Sequence, residues 1–214
     1  MHPSVRAAFR TFNEPFEGVV PWMYLDVKGL VTVGVGNLVD PMELAVQLPF
    51  RLRANPGTAA SPEQIAEEWR RIKSNLGLAK AGYRASEALT QLMLDDAGID
   101  ALITQRLIAN EPVLKKYPSF CEFDSWPADA QLGLLSMAWA LGPGGPAAFP
   151  HFATACGHQD FAAAATNCAI SENGNPGVAP RNRANRTLFG NAAVVLSGGS
   201  SCDPAALHFP TVLG

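Results

Sequence analysis

The chain has 214 residues, a formal net charge of −3 and only 16 % charged residues. That length carries one large domain or two small lobes around a shared core. Nucleic-acid binding requires a basic patch; no Lys/Arg run stands out, and the densest, RNRANR at 181–186, is short. No stretch reaches the run of about 18 apolar residues that crosses a membrane.

Residues 3–18 read as a first helix. Val5, Phe9, Phe12 and Phe16 recur at steps of three and four and share one face, although Pro15 interrupts the pattern. Residues 22–39 change period. Short β-branched runs broken by Lys28-Gly29, Gly34 and Gly36 predict a small antiparallel hairpin or meander. Residues 40–60 are mixed, with Asn55-Pro56-Gly57 read as a loop. Ser61-Pro62-Glu63-Gln64 is a helix start with Ser as N-cap and Gln three residues later, and three to four turns should follow. Gly77, Gly82 and Ser86 end that stretch. A second helix is expected over about 86–108, then loops around Pro112 and Pro118.

PADAQLGLLSMAWAL at 127–141 is apolar nearly all round and is expected at the centre of a helical lobe. Helices over about 147–156, 159–169 and 181–196 follow, with a polar loop at 171–180. The last residues, 197–214, begin Gly/Ser-rich and read as an extended tail. The predicted class is α+β: a first helix plus β-lobe over about 3–60, packed on a larger helical lobe over about 61–196, with a cleft between. None of Cys121, Cys156, Cys168 and Cys202 forms a CxxC pair, so no zinc site is expected. They read as small buried apolar residues, with a Cys156–Cys168 disulfide as the alternative in an oxidising compartment.

The chemistry concentrates in EGVVPWMYLDVKGLVTVGVGNL, residues 17–38. Glu17 falls at the end of the first helix and Asp26 on or beside the first strand. Two carboxylates facing each other across a cleft can cut a glycosidic bond, one as general acid and the other activating water or attacking the sugar carbon. Thr32, one strand later, can hold that water. The same two acids also fit an ordinary helix end and strand edge. In RNRANR, Arg183 and Arg186 share a helix face. They make either a solvated basic face or a group that reaches and orients the acid. Gly34-Val35-Gly36 lacks the third glycine of a dinucleotide fingerprint. The four histidines are scattered, and Ser136 has no nucleophile-elbow context. No cofactor or metal is called for.

The order Glu17-Gly18, Tyr24-Leu25-Asp26, Gly29, Thr32, Gly34, Gly36 resembles the phage-type lysozymes, glycoside hydrolase family 24. The spacing of nine from acid to acid and six from acid to threonine agrees with that family. ADAQLGLLSMAWALG is similar to its central helix and NRANRTLF to its late arginine segment. The resemblance implies a lysozyme-like fold and a muramidase that cleaves the β-1,4 bond between N-acetylmuramic acid and N-acetylglucosamine with inversion. It implies Glu17 as general acid, Asp26 as the carboxylate steering water and Thr32 as the water's second anchor. It also implies Arg183 as the arginine approaching the acid, Arg186 as a structural neighbour, and Trp139 and Asn37 as substrate-contacting or supporting groups. The chain departs from the pattern at Asn37, where the family has histidine, at Ala140, where glutamine is common, and in a longer 40–90 segment.

Two other readings use the same residues: a peptidoglycan-binding module that has lost its rate, and a chitinase-like glycosidase. MHPSVRAAFRTF is too polar and broken for a signal peptide. The expectation is therefore a protein made in the cytoplasm that meets the wall on lysis or after delivery into a target cell. Its partners would be glycan strands and, for a delivered toxin, a delivery-machine component or an immunity protein.

Overall fold

The computed structural model describes residues 1–198 and 203–214, and it is α+β. Two compact units divide the chain: residues 1–16 with 106–214, and residues 17–105. The division corrects the expected boundary near residue 60. Most of the helices between 61 and 105 belong with the strands, and the chain passes between units at the last residue of one helix and inside another.

Helix α1, Pro3–Glu17, buries Val5, Phe9 and Phe12, the face read from the sequence, and holds Pro15 in its last turn. In the 17–105 unit, β1 (Val20–Leu25), β2 (Val31–Gly34) and β3 (Asn37–Leu38) form an antiparallel meander in that order. Its core side consists of Val20, Met23, Leu25, Val31, Val33 and Val35. After the short α2 (Met42–Ala45) comes a second antiparallel sheet, ordered β5-β4-β6, from β4 (Arg51–Leu52), β5 (Asn55–Ala59) and β6 (Leu92–Met93).

This second sheet overturns two expectations. Asn55-Pro56-Gly57 is part of a strand, because β5 lies at a sheet edge with every residue exposed, where the N–H that proline lacks is not missed. Leu92–Met93 is a strand rather than helix, paired to Leu52 and Arg51. Only the short α4 (Leu78–Ala81) and α5 (Tyr83–Glu87) precede it, and the long helix α6 begins at Asp96 and runs through Pro112 to Leu114. Helix α3, Pro62–Ser74, starts as read. The Ser61 hydroxyl accepts from the Gln64 amide at 3.3 Å, and the Gln64 side chain accepts from the Ser61 amide at 2.8 Å, a reciprocal capping box.

The other unit is helical: α7 (Ala128–Leu141), α8 (Pro150–Gly157), α9 (Phe161–Asn167) and α10 (Ala179–Leu196). Helix α7 is buried from Ala128 through Trp139, as its all-round apolar character predicts. Phe120, Phe123, Trp126, Phe152, Phe161 and Phe189 are fully buried around it. Cys156 and Cys168 are buried free thiols, which corrects the disulfide alternative. Burial pushes both thiols up, Cys168 to about 11. Cys202 lies outside the described residues.

Residues 203–214, read from the sequence as part of an extended tail, are docked on the helices. Asp129, buried in the first turn of α7, accepts from the His208 amide at 2.9 Å, the Phe209 amide at 3.0 Å and Asn191 Nδ2 at 2.9 Å. The Leu213 amide donates to Asn191 Oδ1 at 2.9 Å, and the Phe209 ring meets Phe12 at 5.3 Å. A buried carboxyl is tolerated where its oxygens are taken by donors, and here the donors come from the last residues of the chain. Among the described residues no helix is long and apolar enough to cross a membrane. Asp129→Ala leaves three donors without an acceptor and is expected to cost about 3 kcal/mol, read as a lower urea midpoint. An unchanged midpoint contradicts the docking of residues 203–214.

Candidate active site

Four of the sequence-predicted residues, Glu17, Asp26, Thr32 and Asn37, fall in the 17–105 unit. Glu17 is exposed at the end of α1. A methyl group at Gly36 would stand 3.6 Å from Glu17 Oε2, and Gly36 has φ +76°. Glycine is therefore favoured twice there: its backbone is left-handed, and the turn between β2 and β3 comes up against the Glu17 carboxylate.

Asp26 follows β1 and builds its own turn. Its Oδ1 accepts from the Lys28 amide at 2.8 Å and the Leu30 amide at 2.9 Å. The Asp26 amide donates to the Leu30 carbonyl, and the Gly29 amide, at φ +74°, donates to the Asp26 carbonyl, both at 2.9 Å. An aspartate that caps its own turn is held by the backbone. One carboxylate oxygen does this work, while Oδ2 takes no part in the turn.

Helix α3 reinforces that turn from outside. Lys73 Nζ donates to the Gly29 carbonyl at 2.9 Å and pairs closely with Asp40 Oδ2, which also accepts from the Val31 amide at 3.3 Å. One turn back, Trp69 Nε1 donates to the Val39 carbonyl at 2.8 Å. The 40–90 segment thus holds the Asp26 turn and the strand after it.

Thr32 is buried, and its hydroxyl donates to the Leu30 carbonyl at 3.3 Å, which leaves the hydroxyl oxygen as an acceptor. Across the sheet Thr32 pairs with Tyr24 on β1 and Leu38 on β3. Tyr24 ties the group together. Its phenol is pushed up to about 12, first by burial, then by the negative charges of Glu17 and Asp26. Both carboxylates therefore lie within electrostatic reach of one tyrosine, although nine residues separate them. Sequence reasoning counted Tyr24 only as a motif letter. Its alternation with Trp22 along β1 was the available signal.

Asn37 is buried in β3, opposite Val33, and its Oδ1 has no hydrogen-bond partner. It stands inside the sheet, away from solvent. The remaining predicted residues lie in the other unit. Trp139 is 3 % exposed: the Arg106 guanidinium covers its ring at 3.9 Å and Phe9 packs at 4.9 Å. This corrects the expectation of substrate contact, since these neighbours bury the ring in the core. Ala140, one residue on, is exposed.

Arg183 and Arg186 are both exposed. The buried arginine of that segment is Arg181. It donates to Asn13 Oδ1 at 3.1 Å, to the Ser136 carbonyl at 3.0 Å and to Ser136 Oγ at 3.2 Å. Its guanidinium lies 4.8 Å from the Phe16 ring centroid. It therefore grips the last turn of α1, one residue before Glu17. The signal for it was periodicity: Arg181 shares the buried face of α10 with Ala184, Asn185 and Leu188, whereas Arg183 and Arg186 do not.

Among the described residues no group of three His, Cys, Asp or Glu side chains is placed to hold a metal. No protein-family model and no curated protein matches the chain. Chemically, the 17–105 unit offers two carboxylates around a phenol, a hydroxyl on the neighbouring strand, and a backbone turn that fixes one of the acids.

Removing one of the two charges should lower the Tyr24 pKa. Glu17→Gln is expected to bring tyrosinate absorbance on earlier in an alkaline titration than in wild type, with Tyr24→Phe identifying the signal. A raised phenol pKa means that the Tyr24 contribution to stability is whole below pH 10 and is lost as pH rises towards about 12. An unshifted titration in Glu17→Gln contradicts the grouping of these three residues.

Proposed function

We propose that the chain is a lysozyme-like glycoside hydrolase of muramidase type, acting on the β-1,4 bond between N-acetylmuramic acid and N-acetylglucosamine in peptidoglycan. The observation that carries this reading is that β2 runs from the Asp26 turn through Thr32 to the Gly36 turn, which comes up against the Glu17 carboxylate. Glycoside hydrolysis needs two carboxylates in different settings, one to protonate the leaving oxygen and one to act on water or the sugar.

The settings differ as the roles require. Glu17, at an exposed helix end, has access to a glycosidic oxygen and serves as general acid. Asp26, held through Oδ1 by its own turn, keeps Oδ2 for a water molecule. Thr32 has hydroxyl lone pairs to anchor the same water. Hydrolysis with inversion follows if water attacks directly from the face opposite the leaving group. Arg181, through the last turn of α1, keeps the acid in place. The weakly acidic chain gains no electrostatic steering to an anionic wall, which favours delivery to the wall by other means and, for a toxin, an immunity protein in the producer.

Purified sacculi treated with wild type are expected to yield muropeptides with reducing ends at muramic acid, and Glu17→Gln should yield none. Equal release by both proteins removes Glu17 from the reaction. Release by neither, with sacculus binding retained, favours a binding module. Release from chitin but not from sacculi favours a chitinase-like glycosidase.

A further inference from the structure

Eight of the eleven phenylalanines are buried, but one group of aromatic rings in the 17–105 unit is not. Trp22 and Tyr24 alternate along β1, so they share one face of the strand, and both are half-buried. Tyr83, in the first turn of α5, is 42 % exposed. The Tyr24 and Tyr83 rings meet edge-on, with centroids 6.2 Å apart and planes at 66°. Trp22 Nε1 donates to the Tyr83 carbonyl at 3.2 Å, which fixes the indole against α5.

Guanidinium groups cover one side of two of these rings, Arg53 over Trp22 and Arg84 over Tyr83 at 5.8 Å. The Arg53 guanidinium lies 5.3 Å from the Trp22 ring centroid and donates to the Glu87 carbonyl and to Glu87 Oε1, each at 2.9 Å, and to Thr90 Oγ1 at 3.1 Å. The result is a rigid, partly exposed set of amphipathic rings flanked by planar hydrogen-bonding groups. Packing alone does not require this composition, since an aliphatic residue at Tyr83 would cover β1 without leaving a ring in solvent.

We propose that Trp22, Tyr24 and Tyr83 form a sugar-stacking surface that binds an N-acetylhexosamine ring of a glycan strand, away from the bond that is cut. The proposal rests on the glycosidase reading and names where its substrate extends. Pyranose rings present an apolar C–H face that packs on an aromatic face, and their hydroxyl and acetamido groups suit a rim of arginine, carboxylate and carbonyl groups. The surface is continuous with the candidate acids because Tyr24 belongs to both.

The test uses a tetramer of β-1,4-linked N-acetylglucosamine and the Glu17→Gln protein, which should bind without turnover. Calorimetry and tryptophan fluorescence are expected to show saturable binding. Adding Tyr83→Ala should weaken it about tenfold, while adding Tyr83→Phe should restore it. In the otherwise wild-type chain, Tyr83→Ala should raise KM on sacculi more than it lowers kcat. Tyr83 is exposed on a short helix, so its truncation spares the core. Trp22→Ala tests the second ring, with near-UV circular dichroism confirming the fold.

Tetramer binding that is unaffected by both truncations overturns the proposal, and so does the absence of binding. Ring-dependent binding by a wild-type protein that never cleaves sacculi keeps the surface and removes the muramidase reading. Cleavage with an unchanged KM in Tyr83→Ala does the reverse.

Discussion

A carboxylate that caps its own turn cannot swing freely, and the candidate site depends on that constraint at Asp26. Two backbone amides, from Lys28 and Leu30, converge on Oδ1. Charge-assisted bonds of this kind are among the stronger ones in proteins. The second oxygen is therefore presented at a fixed place. Preorganisation of this sort matters because a reacting group held before the reaction need not be ordered during it. Lys73 and Asp40 extend the same constraint outward. They tie the Gly29 carbonyl and the Val31 amide to helix α3, so a helix placed between two strands of the second sheet serves the turn.

Glu17 is mounted differently. It ends a helix, and the preceding turn is gripped through Asn13 and Phe16 by a buried guanidinium from α10. Arg181 leaves water for carbonyl, hydroxyl and amide acceptors and an aromatic face, a setting that suits a planar, delocalised cation far better than a lysine. One acid is thus fixed by its own backbone and the other by the helix that carries it. Tyr24 feels both charges and has its ring against Tyr83, so the strand bearing the phenol leads from the acids to the half-exposed aromatic rings.

Local patterns made much of this legible. The apolar face of α1, the capping box of α3, the buried α7 and the meander all follow from periodicity or fixed-offset chemistry. The second sheet was not legible, because two-residue strands such as Arg51–Leu52 and Leu92–Met93 carry no period of their own. They exist only through backbone pairing between segments about 40 residues apart. The docked C-terminus was hidden for a similar reason: its Gly/Ser-rich beginning reads as linker, whereas its anchor is Asp129, far away in the sequence. At the candidate site, the spacing of Glu17, Asp26 and Thr32 singled out residues that the fold gathers in the 17–105 unit. The motif points to Arg183, whereas Arg181 is visible only through helical phase, which separates the buried arginine from the exposed ones. Trp139 was assigned a surface role that its neighbours Phe9 and Arg106 exclude.

Residues that act on one bond lose their effects together, whereas independent residues lose them separately. The decisive measurement is therefore a double-variant cycle of turnover on purified sacculi with Glu17→Gln, Asp26→Asn and the two combined. A working pair predicts that each single change removes most of the turnover and that the combined protein is about as slow as the slower single one. Losses that simply multiply, or a single variant at the wild-type rate, would contradict the assignment of Glu17 and Asp26 to one reaction.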